Sequence, residues 1–154
     1  MPEQEPVLFY ATTDPWGELS NWWEAPFELD GHTWPTSEHY FMAQKTKDKR
    51  ARERIRAAST PRRAKELGRE VRLRRGWDGM KFDVMLRANL AKFTQHPHLR
   101  EVLLSTGDRR IHESCDDPWW GGGPHHPDGK DMLGKVLMRV REQLRAKAAP
   151  RPRG

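Results

Sequence analysis

The stretch FELDGHTWPTSEHYFMAQK, Phe27 to Lys45, turns one short β segment back on another and then runs straight into a helix. Asp30-Gly31 supplies the left-handed positions of a tight hairpin turn, so the segments on either side pair antiparallel without a crossover. Thr36 is a helix N-cap, Ser37 begins the helix, and Glu38 falls in the first turn, where a carboxylate suits the helix dipole. A hairpin feeding a helix is not a βαβ unit, and the rest of the chain supplies no alternation of strand and helix either.

Upstream, PVLFYA reads as a short strand followed by the turn-rich TTDPWGELSNWWEAP. Downstream, DKRARERIRAA is a basic helix with almost no apolar face, expected on the surface. STPRRAKELG is a second helix, with Thr60 as cap, Pro61 at the first helical position and Gly68 as stop. In MKFDVMLRANLAKFTQHP, Phe82, Met85, Leu86, Leu90 and Phe93 recur at helical spacing, and the helix ends by Pro97. HLREVLLSTG is a short helix stopped at Gly107, and RRIHES is a candidate strand. The Gly- and Pro-rich CDDPWWGGGPHHPDGKD is irregular. MLGKVLMRVREQL then places Met132, Leu133, Val136, Leu137, Val140 and Leu144 on one buried stripe. The expected fold is α+β and helix-dominated: one domain over 1–145 with five or six helices and a few short strands. A basic tail, 146–154, is expected to be disordered.

Hydrophobic residues make up 35% of the chain and charged residues 32%, so the core has to be economical, and seven Trp help to fill it. The net charge of +6 suggests an anionic partner such as nucleic acid, a nucleotide or a phosphorylated metabolite. Solvated helix faces explain the same excess equally well, and part of it sits in the tail. The lone cysteine, Cys115, excludes an intramolecular disulfide and fits a reducing cytoplasm. The N-terminus lacks the pattern of a signal peptide, and no apolar run approaches membrane-spanning length, so a soluble protein with no membrane partner is expected. Seven histidines include the adjacent His125 and His126, and His96 and His98 about a proline, but none has the spacing of a zinc signature. Neither a metal nor a cofactor is expected.

Three features invite a chemical reading. Glu38, Phe41, Met42 and Lys45 fall at i, i+3, i+4 and i+7, one face of a helix, with the acid and the amine ~10 Å apart along its axis. They form either a working pair bent toward one ligand or an amphipathic stripe whose lysine reaches out to water. The loop WWGGGPHHPDGKD enters the last helix with Asp131 as the expected N-cap. It is either a phosphate cradle or a plain connection, and it matches neither the P-loop nor the dinucleotide pattern. The tandem tryptophans in NWW (21–23) and PWW (118–120) could wall a planar base or fill core.

Taken in order, GELSNWW (17–23), LDGHTWPTSEHYFMAQK (29–45), STGDRRIHES (105–114), DPWWGGG (117–123) and MLGKVLMRVREQL (132–144) resemble the NADAR, or YbiA-like, family from about Phe9 to Leu144. The resemblance implies an N-glycosidase that cleaves a ribose–nitrogen bond. The substrate is then either ADP-ribosylated guanine in nucleic acid or a phosphoribosylamino-pyrimidine intermediate of riboflavin synthesis. It further implies Glu38 and Lys45 as the reacting pair. Trp120 or Trp77 would stack the base, and Asp117 would bond ribose hydroxyls or the base amine. Asn21 and the backbones of Gly17, Gly121, Gly122 and Gly123 would receive phosphates, and His39 would join the substrate-binding set. Two positions depart from the family pattern: Asp131 stands where Asn is usual, and Trp22 where Phe is usual.

In both substrates ribose hangs on an exocyclic amine, and such an aminal can ring-open to an imine. A neutral lysine could then exchange amines at C1 while a glutamic acid shuttles protons. The rival mechanism has Glu38 activate water while Lys45 holds a phosphate or hydroxyl. Two further classes stay open: a non-catalytic NAD or ADP-ribose binding module, and a sequence-reading DNA-binding protein, although no reading helix is recognisable.

Overall fold

The computed structural model describes residues 4–148. Its helices are α1 (Ser37–Ala43), α2 (Lys49–Arg56), α3 (Pro61–Glu70), α4 (Trp77–Gln95), α5 (Pro97–Ser105) and α6 (Met132–Ala148). Four three-residue strands accompany them: β1 (Val7–Phe9), β2 (Phe27–Leu29), β3 (His32–Trp34) and β4 (Ile111–Glu113). The α+β, helix-dominated expectation is met. β2 and β3 form the antiparallel hairpin, with Asp30 at φ 53° and Gly31 at φ 79° in its turn. β1 pairs parallel with β4, Val7 beside Ile111 and Phe9 beside Glu113, so strands from opposite ends of the chain close the molecule.

α1 sits at the centre. All seven of its residues are buried, and it packs against α2, α3, α4 and β3. Thr36 caps it as expected, its hydroxyl accepting from His39 N–H. α4 and α6 lie against one another beneath it. Leu133, Val136, Leu137, Val140 and Leu144 of α6 are buried as the stripe requires.

Several boundaries move. α1 ends at Ala43, with Gln44 as its C-cap, so the helical register stops short of Lys45. The Lys45 N–H instead donates to Met42 O at 3.3 Å in the turn that follows. Gly68 does not stop α3 but lies inside it, buried. A Cβ there would come within 2.5 Å of Met42 Sδ and 2.9 Å of Met42 Cβ, so this glycine lets α3 approach α1. α4 starts at Trp77 rather than Met80, after Gly76 at φ 78°. α2 buries Ala51 and Ile55, an inner face too narrow to stand out among its arginines. The inner face of α4 carries Asn89 and Lys92 among its apolar residues, while Phe82, Leu86 and Leu90 are only half-buried. Asp131 does not cap α6 with its side chain. It lies at φ 58°, its carbonyl accepts from Lys135 N–H, and its carboxylate turns to His112. α6 continues to Ala148, three residues into the segment expected as tail; residues 149–154 lie outside the described residues.

Candidate active site

Helix α1 is fixed from behind by polar side chains of α4. Lys92, fully buried, donates from Nζ to Glu18 O at 2.8 Å and Ser20 O at 2.9 Å, and burial lowers its pKa to about 7. The segment so held ends at Asn21. Its carbonyl accepts from Glu38 N–H at 3.1 Å, and its side-chain Oδ1 accepts from Ser37 Oγ at 2.8 Å and Asn89 Nδ2 at 3.3 Å. The first turn of α1, and with it Glu38, is therefore tied to α4 through Asn21. Asn21→Ala removes the Oδ1 acceptor shared by Ser37 and Asn89. Ser37 Oγ keeps its 3.4 Å contact to Asn21 O and Asn89 Nδ2 its 3.0 Å bond to Met85 O, so the cost should fall near the lower end of about 1–3 kcal/mol. Thermal unfolding should show it as a fall in Tm, and Asn21→Asp, which keeps the acceptor, should recover part of it.

Glu38 is 6% exposed. Burial raises its pKa to about 7 against the opposing pull of Lys65; Glu113 adds to the rise, and Lys45 and Arg69 oppose it. Lys45 is half-buried, and burial lowers its pKa; Glu38 resists that, while Arg69, Lys65 and Lys81 reinforce it. The acid and the amine thus lie in each other's field, and both are moved toward their neutral forms. Glu38 lies on a helix buried on every side, whereas Lys45 falls just beyond that helix and is half-buried.

Lys65, Arg69, Lys81 and Glu113 lie in the electrostatic field of the candidate pair, which the sequence reading did not anticipate. Lys65, half-buried, and Arg69, exposed, stand four apart on α3, a helix charged on most sides, so spacing did not single them out. Glu113 comes from β4. Burial raises its pKa, and the Cys115 thiol donates to its Oε1 at 2.9 Å. That thiol is itself pushed up to about 12 by burial, so Cys115 is a donor here and not a nucleophile.

Phe41 carries the aromatic wall. Its ring lies 5.2 Å from Trp77 and 5.2 Å from Trp120, the latter edge-on. Trp119 meets Trp120 edge-on at 4.4 Å, and Lys81 Nζ lies 4.1 Å from the Trp119 ring centre. This brings the PWW loop across to α1, one turn from Glu38. Trp77 is buried to 6% exposure, whereas Trp120 is half-buried.

Other expected ligand contacts are already engaged. Both ring nitrogens of His39 are bonded, Nδ1 with Thr36 Oγ1 at 2.7 Å and Nε2 with Ala58 O at 3.0 Å, so this buried side chain holds the fold. Gly17 N–H donates to Asp14 O, Gly121 N–H to Asp117 O and Gly122 N–H to Glu113 O, which leaves none of these three for a phosphate. A Cβ at Gly17, Gly121, Gly122 or Gly123 would come within 3 Å of neighbouring atoms, so these glycines serve close packing. The N-terminus of α6 is occupied too, Met132 and Leu133 N–H donating to Trp119 and Trp120 carbonyls. Asp117 Oδ1 accepts from the N–H groups of Trp119 and Trp120 at 2.9 and 2.8 Å, pinning the tandem tryptophans.

A model of the NADAR domain matches residues 8–145. The chain belongs to the NADAR family. N-glycosidase YbiA of Escherichia coli is 47% identical over 141 residues, covering 90% of this chain and 88% of that protein. An N-glycosidase of Nostoc punctiforme is 42% identical, covering 90% and 92%. A riboflavin biosynthesis protein of Vibrio vulnificus is 37% identical over 94% of this chain, which spans 40% of that longer protein. The NMR structure of E. coli YbiA superposes with a TM-score of 0.88 at 42% identity, covering 99% of this chain and 92% of that one. Within the NADAR domain, Asp131 makes a 2.6 Å contact to His112 Nδ1, with both side chains mostly buried. This contact uses one carboxylate oxygen, Oδ2, and links the residue before α6 to β4.

Proposed function

We propose that this protein is an N-glycosidase that releases ADP-ribose from the exocyclic amine of guanine in nucleic acid, using Lys45 as nucleophile and Glu38 as acid and base. Its place in a family whose matched relatives are N-glycosidases makes it an enzyme of that class. The observation that carries the residue assignment is the buried Glu38 carboxyl beside a half-buried Lys45 amine, each shifted toward neutrality. A neutral amine is the nucleophile that an imine route needs, and a carboxyl near 7 is poised to give and take a proton.

The steps balance as follows. Protonated Glu38 gives its proton to the ribose ring oxygen, the C1–O bond opens, and the guanine nitrogen forms an iminium to C1. Lys45 Nζ adds to C1. A proton passes from Nζ through Glu38 to the guanine nitrogen, the C1–guanine bond breaks, and a lysine imine remains. Water adds at C1, the C1–Nζ bond breaks, and the freed aldehyde recloses to ribose. One water is consumed per bond cleaved.

The ADP-ribosyl substrate draws support from the cationic surround, with Lys65, Arg69 and Lys81 in the field of the pair. The match to the Vibrio protein favours a second reading, cleavage of a ribosylamino-pyrimidine phosphate by the same chemistry. Incubation with a guanine-ADP-ribosylated oligonucleotide and, separately, with the pyrimidine phosphate decides between them. ADP-ribose should be released at least ten times faster than ribose phosphate. The reverse order selects the second reading, and tight ADP-ribose binding with neither cleavage would make this a binding module.

A further inference from the structure

Immediately beyond Lys45, the chain enters a cleft of about 730 Å³ between α2, the end of α3 and the segment 71–75. Its wall is joined to the reacting lysine twice: Thr46 and Lys47 follow Lys45 covalently, and Arg74 N–H donates to Lys45 O at 2.8 Å. Five cations line it, Lys47, Arg54, Arg72, Arg74 and Arg75, against two carboxylates, Asp48 and Glu70. Asp48 is already engaged as the N-cap of α2, accepting from Arg50 and Ala51 N–H. None of the five cations makes an ion pair among the described residues.

Two details say that this is more than a solvated charged face. Arg74 is half-buried, and its buried Nε–H has no acceptor, an omission that an anion would repair. Leu73, 54% exposed, stands among these arginines. Ile55, Leu67 and Val71 give the cleft an apolar floor. Apolar surface rimmed by guanidinium groups suits a chain of alternating flat bases and phosphates.

From this we infer that the cleft is a second binding site, which holds the phosphodiester backbone of the nucleic-acid strand carrying the modified base. The inference deepens the proposed function and rests on that reading. Four of the five cations are exposed and spread over the segment before α2, α2 itself and the segment 71–75, a layout for a strand passing by rather than for one diphosphate gripped by converging buried donors. The chemistry asks for such a strand to be single. A base whose exocyclic amine is attacked has to leave the stack to enter the Glu38–Lys45 site, and a single strand allows that at least cost.

The test is binding of an unmodified single-stranded 12-mer by fluorescence anisotropy across a salt series, which needs no turnover. Arg72→Ala/Arg75→Ala should weaken binding on the order of tenfold. It should also reduce the slope of log K against log salt by about 1.4, two contacts at ~0.7 each. Lys135→Ala/Arg139→Ala, which removes equal charge from the exposed face of α6, should leave the slope as in the parent chain. An equal effect from both double variants would reduce the cleft to bulk charge and overturn the inference. So would an unchanged slope in the arginine variant, or displacement of the strand by stoichiometric ADP-ribose. Because no cleavage is measured, strand binding through the cleft can hold or fail whether or not the protein turns over ADP-ribosyl-guanine.

Discussion

Glu38→Gln should lower turnover by about 10²–10⁴-fold, the range a positioned general acid or base supplies, and should at the same time make the protein more stable at pH 8. The two effects have one cause. In the unfolded chain the carboxyl titrates at its ordinary 4.5; in the folded protein burial lifts it to about 7. Between those values the folded state holds a proton that the unfolded state has released, so stability falls as pH rises from 4.5 to about 7 and is flat beyond. The full difference is roughly 3 kcal/mol. Glutamine cannot ionise and removes that penalty. Tm of the variant should exceed the parent's by about 6–12 °C at pH 8, with the gap closing toward pH 4.5. The kinetic signature is separate: kcat/KM of the parent should decline as pH rises through about 7, where Glu38 loses the proton it donates, and the glutamine variant should lack that limb. A variant that keeps the limb, or turns over normally, would remove Glu38 from the proton-transfer role.

Lys45 should become covalently labelled when borohydride is added during turnover. The hydride reduces the lysine–sugar C=N bond to a stable amine, and peptide mass mapping should place the sugar adduct on Lys45. Its depressed pKa raises the neutral fraction available near pH 8 for attack. Lys45→Ala and Lys45→Arg should both lose on the order of 10³-fold in turnover, about 4 kcal/mol of transition-state stabilisation. Arginine is the informative change, since it keeps the positive charge but cannot form the imine. If Lys45→Arg retained activity within tenfold of the parent and no adduct formed, the lysine would be an electrostatic clamp and Glu38 would activate water directly.

Local chemistry made much of this legible. Asp30-Gly31, Thr36, Thr60-Pro61 and the α6 stripe each encode a turn, a cap or a face within a few residues, and each appears where expected. The family was readable for the same reason: its motifs are short and continuous. Readings failed where a residue answers to a distant neighbour. Gly68 looks like a helix stop until Met42 is placed against it. In the candidate site, His39 has both ring nitrogens bonded, to Thr36 and Ala58, and the N–H groups of Gly17, Gly121 and Gly122 already meet nearby carbonyls.

The sequence by itself determined the helices, the hairpin and the family, because these depend on short continuous patterns; Glu38 and Lys45 were singled out by the family motifs, since their spacing alone fitted an amphipathic stripe as well. Only the tertiary structure decided that α1 is buried on every side, that Lys65, Arg69, Lys81 and Glu113 lie in the field of the pair, and that Asn21, Asn89 and Lys92 hold α1 from behind. The physical reason is that burial and field are set by what packs across a gap. A carboxyl near 4.5 in an exposed chain becomes one near 7 when α3, α4 and β4 close around it, and no pattern within its own helix records that enclosure.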